Sequence, residues 1–432
     1  MNRVISGQFG GRAELRADRH ALQSVESGGR AHRDRGAWRC AGLGLLTIWL
    51  LAGCSYLPFE RQPPRPGRTT LGSPLVILPA ETIGNYLIIE AKWDRAGPYR
   101  FLVDTGTSIT LVSPALARRY PGRHGPPHSA PRVPVRGADG DMTELPAASL
   151  RRLDLGEAKF EDVPVLVYDC APLSAHLGVP IDGVLGFPLF RETLLTLDYP
   201  GSRVLLQPAN VDPLMPGTII PFDDPSKVPL IQVRLGNRSF LSLIDSGSDA
   251  DFSLNPVGLE PRFAVPPRLG ATIGTIIVGD QVQQIGRLAE AIVIGDQVFE
   301  QPIVDLTDEL STVGSGMLRH FAVTFDQRRN QVTFYRPSRE AIATPSRRSP
   351  GVSFSKTPAY WKVAGVISGS PAETAGIRLG DLVTRINGEP VARWNLRRYE
   401  ALVATADEVA LTFLNGAAES APKPVRVFNL VP

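Results

Sequence analysis

Phe101-Leu102-Val103-Asp104-Thr105-Gly106-Thr107-Ser108 and Leu241-Ser242-Leu243-Ile244-Asp245-Ser246-Gly247-Ser248-Asp249 share one pattern. An apolar run ends on an aspartate, followed by a hydroxyl residue, a glycine and a second hydroxyl residue. A carboxylate at the end of a buried strand is costly unless it is hydrogen-bonded. The hydroxyls can donate to it, and the glycine lets another backbone or side chain approach closely. One such loop is also an ordinary turn. Two of them, at equivalent places of a longer repeat, imply two similar lobes whose loops meet at a pseudo-two-fold axis.

The repeat extends on both sides. Leu87-Ile-Ile-Glu-Ala corresponds to Leu230-Ile-Gln-Val-Arg, and Leu153-Asp-Leu-Gly156 to Ile292-Val-Ile-Gly295. Leu185-Gly186-Phe-Pro-Leu-Phe-Arg191 corresponds to Val313-Gly314-Ser-Gly-Met-Leu-Arg319. The order is kept while the offset shrinks from 141 to 128 residues, so the second copy is shorter. Each copy reads as short strands. Alternating runs flank Gly236-Asn237, and Arg132–Arg136 and Asp141–Leu145 flank Gly137–Gly140, as hairpins do. Gly279-Asp280 takes the analogous place in the second copy. Short helices are expected near Ser113–Tyr120 and after Gly186.

These loops, each followed by an apolar-apolar-Gly element (Gly183-Val184-Leu185-Gly186 and Thr312-Val313-Gly314), resemble the pepsin and retropepsin superfamily. With both halves in one chain, the likeness is to bacterial aspartyl proteases that carry an attached PDZ domain. The resemblance implies that Asp104 and Asp245 form a catalytic pair sharing one proton, because two carboxylates about 3 Å apart cannot both ionise. It implies that Thr105 and Ser246 brace the loops across the axis, with Gly106 and Gly247 in support. Thr107 and Ser248 would donate to the outer carboxylate oxygens, and the hairpin at Gly137–Gly140 or that at Gly279 would cover the substrate. The substrate would be a polypeptide, and the molecule a monomer whose lobes form an internal pseudo-dimer. No cofactor or metal is called for. Asp249 and Asp251 depart from the family pattern; no downstream Glu or turn glycine completes a calcium loop, so they are expected to face solvent. No Gly-x-Ser-x-Gly, His-Glu-x-x-His or phosphate-binding loop competes.

The N-terminal region reads as an address. Eight Arg precede the apolar stretch Ala41–Ala52, which is too short to span a bilayer, where about 20 residues are needed. Leu51-Ala52-Gly53-Cys54 resembles a bacterial lipobox, implying lipidation of Cys54 and attachment to a membrane. Ser55 replaces the aspartate that retains many such lipoproteins in the inner membrane, which favours the periplasmic face of the outer membrane. The Pro-rich run after Cys54 reads as a tether. Beyond residue 53 the chain holds 38 basic and 39 acidic residues, which gives no electrostatic case for nucleic acid. Cys170 stands alone in the body of the chain and reads as a small buried hydrophobe.

Past a polar, Pro-bearing stretch, Gly365-Val-Ile-Ser-Gly369-Ser-Pro-Ala-Glu-Thr-Ala-Gly376 … Gly380-Asp381 … Asn387-Gly388 is similar to PDZ domains of bacterial periplasmic proteases. By that resemblance Gly351, Val352, Ser353 and Phe354 form a carboxylate-binding loop for a peptide's C-terminus. Phe354 would floor a pocket, and Asn395–Thr405 would be the flanking helix. The expected organisation is a signal over 1–53, a tether over 54–74, lobes over 75–210 and 211–336, a linker over 337–350 and a PDZ domain over 351–432. The fold class is mainly β: two pepsin-like β-barrel lobes and a small α+β domain. The principal reading is a lipid-anchored aspartic endopeptidase. The alternative is a catalytically silent peptide-binding scaffold, favoured if the two carboxylates lie more than about 6 Å apart.

Overall fold

The computed structural model describes residues 66–119, 130–137, 142–224, 227–269, 273–275, 279–281 and 284–432. The chain is mainly β. In the first lobe, Val76–Ile83 turns at Gly84-Asn85 into Tyr86–Trp93, which pairs antiparallel with Ala96–Asp104. That last strand is wetted where it begins and fully buried from Phe101 to Asp104. It reaches the interior beside Gly183–Gly186, which runs parallel to it with Asp104 opposite Gly186. Thr110–Val112 then lies antiparallel to Gly183–Gly186 and parallel to Ala158–Val167.

The second lobe repeats this wiring. Arg238–Asp245 runs parallel to Thr312–Gly314, with Asp245 opposite Gly314. Phe252–Leu254 lies antiparallel to Thr312–Gly314 and parallel to Ile303–Leu306. The Gly236-Asn237 hairpin pairs Leu235 with Arg238.

The lobes share a six-stranded antiparallel sheet. Thr193–Asp198 and Ala322–Asp326 form its centre, flanked on one side by Arg203–Pro208 and Val76–Pro79 and on the other by Gln331–Tyr335 and Thr218–Pro221. Thr196 faces Thr324 at the middle, their buried hydroxyls 2.8 Å apart. The largest apolar cluster runs through both lobes; Phe187 of the first meets Phe325 of the second edge-on at 5.3 Å.

Helices are few and short. Pro114–Arg119 (α1) occupies the first expected place, and the piece after Gly186 is a 3-10 turn over Phe187–Phe190. Ala171–Leu177 (α2) was not anticipated; Gly178, at φ 74°, ends it by donating to Ser174 O at 2.8 Å. Ser315–Leu318 (α3) follows Gly314.

In the C-terminal part, Val352–Lys356 is the edge strand of a sheet continued by Trp361–Val366, Leu382–Ile386 and Glu408–Asn415. The Ser370 hydroxyl caps Pro371–Thr374 (α4), and Asn395 caps Leu396–Thr405 (α5). Asn387-Gly388, both at positive φ, form the expected two-residue turn.

The structure corrects two expected boundaries. Arg68–Leu71, read as tether, pairs with Ala158–Glu161 of the first lobe. Within the stretch read as linker, Ile342-Ala343 adds to Phe299-Glu300 and Arg347–Ser349 pairs with Phe428–Val431. Strands this short are set by tertiary register and leave no periodicity in sequence. The expected signal segment, Cys54 and the Gly137–Gly140 hairpin tip (Gly137 apart) lie outside the described residues. In the second copy the described backbone pairs Thr275 with Gly279, so Gly279 starts a strand and is not the turn itself.

Candidate active site

The two Asp-hydroxyl-Gly loops meet face to face, and their first hydroxyl residues cross the axis. The Thr105 amide donates to Ser246 Oγ at 2.9 Å, and the Ser246 amide donates to Thr105 Oγ1 at 3.0 Å. Each hydroxyl then donates onward to the opposite strand: Thr105 Oγ1 to Ile244 O at 2.7 Å, Ser246 Oγ to Val103 O at 2.9 Å. All four bonds are buried. They satisfy two amides and two carbonyls that the turns would otherwise strand, and they fix the spacing of the loops.

That spacing presses each glycine onto the other loop's carboxylate. A methyl group on Gly106 would lie 2.5 Å from Asp245 Oδ1 and 2.6 Å from its Cγ, and Gly247 stands in the same relation to Asp104. Neither glycine is at positive φ, so the need here is for space. Both aspartates are buried, each against the glycine of the other loop. Burial, and then the charge of Asp245, hold the Asp104 carboxyl well above the usual carboxylate range. Opposing this, the Thr107 hydroxyl donates to Asp104 Oδ2 and the Gly106 amide to Oδ1, both at 2.7 Å.

The symmetry is incomplete. The Gly247 amide donates to Asp245 Oδ1 at 2.9 Å, but the buried Ser248 hydroxyl makes no hydrogen bond among the described residues. The expected donation from Ser248 to Asp245 is therefore absent. Serine lacks the γ-methyl that restricts χ1 in threonine. The carbonyl of Ser248 is engaged: Ser315 binds it through its amide at 2.7 Å and its hydroxyl at 2.5 Å. In the first lobe the Phe187 amide donates to Thr107 O at 2.9 Å. Ser315 was missed by sequence reasoning, although it directly follows Thr312-Val313-Gly314.

Asp249 and Asp251 do not project freely into solvent as expected; both are half-buried. Asn85 of the first lobe donates to Asp249 O at 3.4 Å. Asp251 packs against Gly316, and burial pushes its carboxyl up against the pull of Arg319 and Arg347. The phenols of Tyr86 and Tyr199 are buried and raised by burial first; the next cause is the charge of Asp249 for Tyr86 and that of the aspartate pair for Tyr199. Cys170 is buried, its thiol pushed up to about 12 by desolvation, which makes it unreactive.

Gly351 leads into the edge strand Val352–Lys356, where the carboxylate-binding residues were expected. Gly351, at φ 88°, already donates its amide to Ser349 Oγ at 2.9 Å. Val352 and Phe354 are buried. Phe354 fills the space between its strand and α5 by packing against Trp361 and Tyr399, all three ring separations being 5.5 or 5.6 Å.

The C-terminal part touches both lobes. Leu396 at the start of α5 is buried in the first lobe's cluster with Ile83, Tyr86, Leu173 and Leu177. Ile367, Leu430 and Val431 share a cluster with Ile285 and Ile303 of the second.

Residues 89–189, which span Asp104 and Gly183–Gly186, match the family model described as aspartyl protease, and residues 362–414 match that described as PDZ domain. No curated protein matches the chain. The chain thus carries an aspartyl protease domain followed by a C-terminal PDZ domain.

Proposed function

We propose that the protein is an aspartic endopeptidase in which Asp104 and Asp245 activate a water molecule against a peptide bond. The observation that carries this reading is the closeness of the two carboxyl groups, each packed on the other loop's glycine. At that distance one proton belongs to the pair and not to either residue. The ionised oxygen takes a proton from water, and the water oxygen attacks the peptide carbonyl carbon. The carboxyl that holds the shared proton donates to the carbonyl oxygen, and the proton taken from water passes to the leaving amine. Thr107 and the Gly106 and Gly247 amides hold the pair's negative charge throughout. The alternative, a catalytically silent peptide-binding scaffold, called for carboxylates more than about 6 Å apart, and the packing of each aspartate on the other loop's glycine speaks for the enzyme.

Digestion of a peptide library, read by mass spectrometry, tests the proposal. The parent should cut internal peptide bonds, and Asp104→Asn and Asp245→Asn should each lower turnover by several orders of magnitude. Cleavage that survives either substitution would exclude a shared-proton mechanism. On the same footing we propose attachment through a lipidated Cys54 to the periplasmic face of a bacterial membrane, supported by Leu51-Ala52-Gly53-Cys54 behind a short apolar run.

A further inference from the structure

A PDZ-type groove lies between an edge strand and a helix, and takes a peptide as an added strand beside that edge. Here the edge strand is Val352–Lys356 and the helix is α5. Both walls are in contact with the first lobe at the same end. The helix α2 packs against Val352–Lys356, and its closing residue Gly178 comes so near α5 that a methyl there would be 3.1 Å from Asn395 Cα. Leu396, one residue on, is buried against Leu173 and Leu177 of α2. Lys356, at the strand's end, is buried with its ammonium over the Trp361 ring at 5.3 Å, and α2 sets the half-buried His176 within its field.

The added strand of a ligand would lie about 4.8 Å from Val352–Lys356. With its terminal carboxylate at Gly351–Phe354 it would run antiparallel to the strand, and its upstream residues would pass Lys356, where α2 stands. The contact also leaves polar groups unmet: Ser353 Oγ, Tyr399 Oη and His176 Nε2 are buried and without hydrogen-bond partners among the described residues. A covering helix satisfies the edge less completely than a strand would, because its own amides and carbonyls are already bonded along its axis.

We infer that α2 of the first lobe is a built-in plug of the PDZ groove, so that peptide binding there and docking of the domain on the protease lobes exclude one another. A ligand reaches the groove only from the undocked state, and its apparent affinity is reduced by the fraction of molecules in that state. Ligand binding releases Leu396 from the first lobe's core, which makes the groove an autoinhibited input to the catalytic unit.

A reversible lock tests this. A Cβ at Gly178 would stand 3.2 Å from that of Asn395, a few tenths of an ångström inside the distance a disulfide spans. The full chain in detergent would carry Gly178→Cys and Asn395→Cys, with Cys40, Cys54 and Cys170 replaced by alanine. Asp104→Asn prevents cleavage of the probe and makes the result independent of the proposed activity. The probe is an equimolar set of fluorescein-labelled decapeptides ending in Val, Leu, Ile or Phe with a free carboxylate, followed by anisotropy; the amidated set is the control. The oxidised protein should bind the acid set at least tenfold more weakly than the same protein after reduction. Leu396→Ser, which empties the socket without a disulfide, should bind at least tenfold more tightly than its Leu396 parent. Equal affinity of oxidised and reduced forms would overturn the inference, as would absence of binding by the Leu396→Ser chain.

Discussion

Replacing Gly106 by alanine tests the core of the site with a single methyl group. The residue is not at positive φ, so alanine adopts its backbone conformation without strain. The methyl would lie 2.6 Å from Asp245 Cγ, whereas carbon atoms rest at about 3.5–4.0 Å. Something must therefore move by roughly 1 Å. The Gly106 loop resists, being pinned by the four bonds that Thr105 and Ser246 exchange across the axis. The Asp245 carboxylate is the element that must give, since the added methyl bears directly on it. A displacement of about 1 Å at a reacting group costs on the order of 100-fold in turnover, and the overpacking itself costs about 1–3 kcal/mol of stability. There is also a pH signature. The charge of Asp245 helps to raise Asp104, so moving the two apart lowers Asp104 toward ordinary values. The pair then loses its last proton at lower pH, and the alkaline limb of the activity profile shifts down. Turnover of a defined peptide, measured from about pH 3 to 8 alongside circular dichroism and a melting curve, gives both quantities. A folded Gly106→Ala protein with parental turnover and an unshifted alkaline limb would refute the shared-proton argument.

Thr107→Ala removes a donor that favours the ionised Asp104 and should move the activity bell to higher pH by about one unit, whereas Ser248→Ala should leave it in place; equal shifts would contradict the asymmetry. Thr196→Val or Thr324→Val alone leaves a buried hydroxyl unpaired and should cost about 1–3 kcal/mol in urea unfolding, while the double substitution should be close to neutral; simple additivity would show that the pair is not the relevant partner. Cys54→Ser should abolish labelling by radioactive palmitate and leave an unprocessed precursor, and a mutant that is cut and labelled like the parent would remove the anchor from the proposal.

What the sequence disclosed, it disclosed through local chemistry. Asp104-Thr-Gly and Asp245-Ser-Gly, each following a buried strand, are legible because a carboxylate there needs donors and room. Ser370-Pro-Ala and Asn387-Gly388 are legible because capping and positive φ restrict the residue types. The difference between Thr107 and Ser248 was not legible, since either hydroxyl can donate and the choice rests on packing around a side chain one methyl smaller. Nor was α2: seven residues carry less than two turns of periodicity, and only Pro172 near its start and Gly178 at its end mark it. The position of the PDZ groove against that helix depends on contacts between segments some 180–220 residues apart, which no local pattern records. Arg68–Leu71 and Ile342-Ala343 escaped for the same reason, being strands only by virtue of their partners.

The shared sheet has a consequence for the protein's synthesis. Thr193–Asp198 is complete when the first lobe leaves the ribosome, yet its central partner lies 128 residues downstream, Thr324 opposite Thr196. At roughly 5–20 residues per second that partner arrives about 6–26 s later. Throughout the wait an apolar strand edge, with Leu195 and Leu197 along it, stands unpaired. Ala322–Asp326 keeps the threonine and the final aspartate of Thr193–Asp198 in the same register, so the edge awaiting it can also pair with the same edge of a second unfolded chain. An incompletely folded chain can therefore meet another through Thr193–Asp198, a route to aggregation that closes once Ala322–Asp326 is in place.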